Sequence, residues 1–203
     1  MRRAPAVSAA LALVLLAPAR GPQAPQGQTF SDAGARRAAA SVHAVFVDHT
    51  AARAVVAGGD FGSYLMTRLG VVPIPQDLRL RVAVDTGGIE LTGRVGDLPA
   101  QARDALGGLL FMVPLATPIA GDISLTRQAP DLVRFRLEAA RVGGIPVPEA
   151  MLNAAFAQAR RQAPGLGPIG RDVYLHVPPD ANVELVAGGV RLTRSTTGQG
   201  GQR

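Results

Sequence analysis

The chain contains no cysteine, no tryptophan and no lysine. Without cysteine there is no disulfide, no thiolate metal site, no cysteine nucleophile and no lipoprotein-type acylation. Aromatic residues amount to 4% of the sequence, which disfavours a nucleic-acid reader that stacks bases on rings. The missing lysine removes the usual phosphate-gripping residue of a P-loop, and no GxxxxGK[ST] occurs among the many glycines. Three histidines, His43, His49 and His176, are too few and too scattered for a metal site, and no HExxH spacing is present. On a helix, His43 and His49 fall on different faces. No GxSxG elbow marks a hydrolase serine. The acids mostly stand one to a strand or turn, as at Asp85, Asp97, Asp131 and Asp180, so a glycosidase pair would have to be assembled across the fold. These absences point away from an enzyme, a cofactor and a metal.

What is present suits a packed core. The 203 residues are 47% hydrophobic and 18% charged, the profile of one ordinary domain rather than a disordered chain. All 21 basic residues are arginine, against 15 acids, for a net charge of +6. Exclusive use of arginine is what a GC-rich coding sequence produces. The acids are interspersed among the arginines, and no nucleic-acid partner is expected.

Arg2 and Arg3 precede an apolar run from Val7 to Ala17 and the small-residue triplet Ala17-Pro18-Ala19. This is the pattern of a secretory signal, residues 1–19, and the run is much shorter than the roughly 20 residues that span a bilayer. Its removal takes Arg2 and Arg3 and leaves nineteen arginines against fifteen acids, a net +4. The expected location is the periplasm or cell envelope. Residues 20–30 read as a flexible Pro/Gly/Gln linker, residues 31–194 as one domain, and 195–203 as a disordered tail.

Within the domain the hydrophobic period alternates between helix and strand. Ser31 to Val47 predicts an Ala-rich helix, with His43 to Val47 also compatible with an extended start. Asp60 is placed as the cap of a short helix carrying Phe61, Tyr64, Leu65 and Leu69, ended by Gly70. Leu78, Leu80, Val82 and Val84 alternate with charged residues, and after Gly87-Gly88 so do Ile89, Leu91 and Val95, which predicts a hairpin. Pro99 opens a helix with Ala102, Ala105, Leu106, Leu109, Leu110 and Val113 on one face, stopped by Pro114 and Pro118. Ile123 and Leu125, a turn at Ala129-Pro130-Asp131, and Val133, Phe135, Leu137 and Ala139 predict a second hairpin. Pro146 and Pro148 lead into an amphipathic helix with Met151, Leu152, Ala155, Phe156 and Ala159. Val173, Leu175 and Val177 predict a strand, and Val183 to Leu192 a final hairpin about Gly188-Gly189. The segments 70–76 and 143–149 echo each other, and chance explains this best in a chain with 24 Gly and 16 Pro.

Flexible methionines and large apolar groups near glycine suit an adaptable cavity. The candidate lining is Leu109, Phe111, Met112, Val113, Phe135, Leu137, Ile145, Met151, Leu152 and Phe156. By periodicity alone the same residues equally describe a closed core. The arginines of the polar strand positions, Arg79, Arg81, Arg94, Arg134 and Arg136, match phosphate headgroups of a membrane surface through forked hydrogen bonds, or form a solvated face.

In Asp-Phe-Gly-Ser-Tyr-Leu from Asp60, in Gly-Gly-Ile-Pro-Val-Pro-Glu-Ala-Met-Leu from Gly143 to Leu152, and in the order of elements over Val55 to Leu192, the chain resembles the exported LmeA-like phospholipid-binding family. The resemblance implies a tubular lipid-binding fold, a curved antiparallel sheet wrapped around helices with a groove for acyl chains, and a role in binding or carrying phospholipid. It implies no catalytic residue. The expectation is therefore an α+β protein, a curved antiparallel sheet packed on amphipathic helices, that binds phospholipid or another amphipathic lipid without covalent chemistry. One alternative is a structural or assembly module of the envelope that binds a protein partner. Another is an envelope hydrolase whose site comes from distant residues.

Overall fold

A computed structural model describes residues 27–68, 71–98, 103, 113–162 and 171–194. The signal segment 1–19, linker residues 20–26, the Leu69-Gly70 helix end, residues 99–112 of the helix expected from Pro99 to Val113 apart from Arg103, and the tail 195–203 lie outside the described residues.

The architecture is α+β, and its sheet pairings are antiparallel. In chain order the described elements are β1 (Gln28–Thr29), α1 (Asp32–Phe46), β2 (Arg53–Ala57), α2 (Gly58–Arg68), β3 (Arg81–Val84), β4 (Ile89–Arg94), β5 (Pro118–Ala129), β6 (Leu132–Val142), β7 (Ile145–Pro146), α3 (Glu149–Gln162), β8 (Asp172–His176), β9 (Ala181–Val186) and β10 (Gly189–Arg194). A large sheet runs β1-β3-β4-β5-β6, and the far edge of β6 is shared by β7 at Arg141–Val142 and β8 at Leu132–Arg136. A small sheet has the order β2-β10-β9.

Local chemistry explains the turns and caps. Ser31 stands in extended conformation ahead of α1 and its hydroxyl accepts the Gly34 N–H at 3.0 Å, satisfying one free donor of the first turn. α1 continues through Phe46, so the extended alternative from His43 is not taken. In the β3–β4 turn the Asp85 carboxylate accepts the N–H groups of Gly87 and Gly88 at 2.7 and 2.9 Å. The β6–β7 turn places Gly143 and Gly144 at positive φ, a backbone region nearly closed to other residues.

Gly188, also at positive φ, joins the two sheets. Its N–H donates to the Val84 carbonyl at 2.8 Å, and its carbonyl accepts the Gly58 N–H at 3.1 Å and the Gln28 side-chain amide at 3.0 Å. The start of α2 is glycine because backbone passes very close: a side chain on Gly59 would come within 2.6 Å of the Thr29 carbonyl oxygen. Ser63, fully buried in α2, accepts the Ser31 N–H at 3.0 Å and donates to the Gly59 carbonyl at 2.6 Å.

The main core brings Ala38, Val45 and Phe46 of α1, Phe61 of α2, Val56 of β2, Val183 of β9, and Val190 and Leu192 of β10 against Val133 and Phe135 of β6. Phe61 stacks obliquely on Phe135 with ring centroids 5.9 Å apart. A smaller cluster joins Ala35, Ile74 and Leu78, with Phe30, Met66 and Leu80 packed on it. The helices α1 and α2 and the small sheet thus close over one half of the large sheet.

Three expectations change. α2 starts at Gly58, and Asp60 caps nothing: inside the first turn it receives two hydrogen bonds from Arg37, at 2.8 and 2.7 Å. That hydrogen bonding, then the carboxylate charge, raises the Arg37 pKa above its usual value. Val95 leaves the strand for a 3-10 turn, Val95–Asp97, and is buried there. Gln28 and Thr29, read as linker, pair with β3, and β2 was not anticipated. Residues 71–76 form no strand whereas Ile145–Pro146 pairs with β6, so the two echoed segments differ in structure.

A candidate lipid-facing surface

In an antiparallel ladder, directly opposed residues point to the same face, so the register sorts the large sheet into two surfaces. One face carries Val82 and Val84 of β3, Ile89 and Leu91 of β4, and Ile119, Ile123 and Leu125 of β5. It continues through Val133, Phe135, Leu137 and Val142 of β6, Ile145 of β7, and Val173 and Leu175 of β8. The other face carries Arg81, Glu90, Thr92, Asp122, Ser124, Arg134, Arg136, Asp172 and Tyr174. A register shift between Asp122 and Ile123 opposes one β5 step to two of β6 at Glu138. This bulge keeps both halves of the long hairpin apolar on the same side.

The apolar face divides in two. Ile89, Ile123, Leu125, Val133, Phe135, Val173 and Leu175 belong to, or pack on, the main core. Leu91, Ile119, Leu137 and Val142 belong to neither core cluster and remain half-buried. They form cross-strand rows: Gly93, Ile119, Val142 and Ile145 in one, and Leu91 beside Gly121 in the next. Leu137 leans over Gly121, so a side chain there would come within 3.2 Å of it.

The candidate lining residues fall in several places. Phe135 is 4% exposed in the main core, and Leu152 of α3 is 8% exposed. Leu137, Phe156 and Val113 are half-buried. Ile145 and Met151 stand in solvent at 72% and 40% exposure. Leu109, Phe111 and Met112 lie outside the described residues. Phe135 and Leu137 therefore share a face yet sit on opposite sides of its dividing line. The contributions of Leu91, Ile119 and Val142 went unmarked as lining in the sequence. Their signal was an alternation that runs through Gly93 and Gly121, where glycine hides the period.

The polar face is laced with ion pairs. Arg141 meets Asp122 at 2.7 Å, and Arg136 lies 3.6 Å from Glu138 and 3.9 Å from Asp172. Arg134 donates to the Thr126 hydroxyl at 3.2 Å. Asp172 Oδ1 is buried without a hydrogen-bond partner. At the α3 N-terminus, Glu149 pairs with Arg171 at 2.5 Å.

Shallow depressions occur elsewhere. One of about 490 Å³ borders the β3–β4 turn near Asp85, Glu90, Asp122 and Glu138, and one of about 660 Å³ lies between Leu125 and the β9–β10 turn. A third, of about 480 Å³, surrounds Arg127 and Arg194. None of the three is lined by the ten candidate residues.

Among the described residues, no group of three His, Asp or Glu side chains is placed to hold a metal, and no helix is long and apolar enough to cross a membrane. The Ser124 hydroxyl donates to Glu138 at 2.6 Å, and none of the described side-chain hydrogen bonds involves a histidine. A Ser-His pair of the kind that activates a hydroxyl is thus not assembled among the described residues. Comparison of the chain with protein-family models, with curated proteins and with solved structures finds no match. The resemblance to the LmeA-like family rests on the quoted residues and the order of elements.

Proposed function

We propose that this protein is exported to the cell envelope and there binds or carries an amphipathic lipid, most simply a phospholipid. Its acyl chains lie along Leu91, Ile119, Leu137 and Val142. The observation that supports this reading is a continuous apolar sheet face only half of which joins the packed core formed by the described residues. Apolar area left in contact with water costs about 25 cal/mol per Å², a cost an acyl chain relieves by covering it. Rows of branched residues, with Leu80 over Gly93 and Leu137 over Gly121, form a surface suited to a flexible chain rather than a rigid ligand. The curved, tube-like form implied by the family resemblance is part of this proposal, as is action without covalent chemistry.

Mass spectrometry of an organic extract of the purified protein tests it, using protein made in a host that supplies membrane lipids. A near-stoichiometric phospholipid is expected in the wild type, and at least a fivefold smaller amount in the Leu91→Gln/Leu137→Gln double variant at unchanged secondary structure. A lipid-free wild type that takes up no lipid from vesicles overturns the reading, and a protein co-purifying at fixed ratio would then favour an envelope assembly module.

A further inference from the structure

The apolar track does not end inside the molecule. Its last row, Gly93-Ile119-Val142-Ile145, reaches the end of the large sheet where β4 leaves and β5 and β7 begin. Two turns meet there. The Gly143 N–H donates to the Pro118 carbonyl at 2.8 Å, and the Gly96 N–H donates to the Leu115 carbonyl at 2.8 Å. These bonds hold Leu115 and Ile145 on neighbouring turns at the same end, and both project into water, at 59% and 72% exposure.

Arginines flank this end. Arg94 pairs with Pro118 in the β4–β5 ladder, the Arg79 N–H donates to the Asp97 carbonyl at 3.0 Å, and Arg81 begins β3. All three are exposed, and among the described residues none takes part in an ion pair. The nearby acids are Asp77 and Asp97. The Asp97 carboxylate is turned onto the Arg94 backbone N–H at 2.8 Å.

Exposed aliphatic residues and exposed arginines without an ion pair among the described residues, gathered at one end of the sheet, match one kind of surface, an apolar layer under a layer of phosphates. We propose that this end of the sheet docks on an anionic lipid bilayer. Leu115 and Ile145 enter the headgroup boundary and Arg79, Arg81 and Arg94 meet lipid phosphates. The mouth of the apolar track is thereby set against the membrane, giving a lipid a path that never crosses water. The proposal deepens the lipid-binding reading and rests on it for the use of the docking, but not for the docking itself.

Vesicle flotation with the full chain tests it, using phosphatidylcholine vesicles with and without phosphatidylglycerol. The N-terminal segment is common to every variant, so differences between variants report on the sheet end. Leu115→Ser/Ile145→Ser is expected to lower the floating fraction at least about tenfold on anionic vesicles. Arg94→Gln is expected to lower it about fivefold on anionic vesicles and leave it unchanged on neutral ones. Raising salt should reproduce the arginine effect in the wild type. Variants that float like the wild type at an unchanged unfolding midpoint overturn the docking, as does binding indifferent to phosphatidylglycerol.

The lipid content of Leu115→Ser, from an organic extract, separates the two ideas. Normal lipid content with lost flotation supports docking at a place distinct from the track. A lipid-free wild type that still loses flotation on substitution keeps the docking and overturns the carriage.

Discussion

The division of the apolar sheet face between core and track is tested most directly at Phe135. This residue is 4% exposed, and its ring lies 5.9 Å from that of Phe61, itself 1% exposed. Truncation to alanine removes a fully buried aromatic side chain from a core closed on both sides, a change that costs about 3–5 kcal/mol, including lost aromatic contact of about 0.5–1.5 kcal/mol. For a chain of this length about 1 kcal/mol moves the unfolding midpoint by about 2–4 °C, so Phe135→Ala should lower it by about 6–20 °C. Leu137, two residues along the same strand, is half-buried outside both core clusters. Leu137→Ala should cost about 1–2 kcal/mol. Urea unfolding followed by circular dichroism reads both, with an unchanged slope showing that the compactness of the end states is the same. The division is refuted if Phe135→Ala loses less than about 1 kcal/mol, because such a small loss is the mark of a side chain in an open groove.

Ser63→Ala should cost about 1–3 kcal/mol in urea unfolding, since the Ser31 N–H would lose its acceptor in a buried place; a neutral result would mean that water reaches it. Gly189→Ala should cost about 1–3 kcal/mol or more, because its Cβ would overlap the Val56 carbonyl oxygen of β2, which is backbone and yields little. The check is the thermal midpoint, and an unchanged value would show that β2 can shift outward. Arg37→Ala should leave the midpoint nearly unchanged, because the Arg37 side chain is 63% exposed although its ion pair with Asp60 is 2.7 Å long. The raised pKa of Arg37 places any coupling present below the ordinary guanidinium range and lost only above it. The difference between Arg37→Ala and wild type should therefore be flat from about pH 5 to 9, and a pH-dependent difference would contradict this.

The hairpins were legible because their alternation is local. Leu78 to Val84 and Ile89 to Val95 mark two arms and Gly87-Gly88 marks the turn; the ladder follows over Arg81–Val84 and Ile89–Thr92, with Leu78 and Leu80 ahead of the strand. The helices α1 and α3 were legible for the same reason, through Ser31 and through the prolines before Glu149. Other features carry no local signal. Gln28 and Thr29 look like linker in sequence and become a strand only because β3 offers an edge. The short β2 acquires its identity from pairing with β10. Asp60 resembles a cap until α1 brings Arg37 across to it.

The amino-acid sequence by itself determined the class of the fold, the turns of its hairpins and the apolar side of their arms, because these depend on the period of side chains along the backbone. It left undecided whether Phe135 and Leu137 line a groove or fill a core, since both answers need the same residue types. Tertiary structure places Phe135 in the core, because burial depends on what lies opposite. Phe61 of α2 closes over Phe135, whereas Leu137 stays half-buried outside both core clusters. The meeting of Leu115, Ile145 and Arg94 at one end of the sheet was likewise beyond reach of the sequence, since it is made by the register of three strands and two turns distant along the chain.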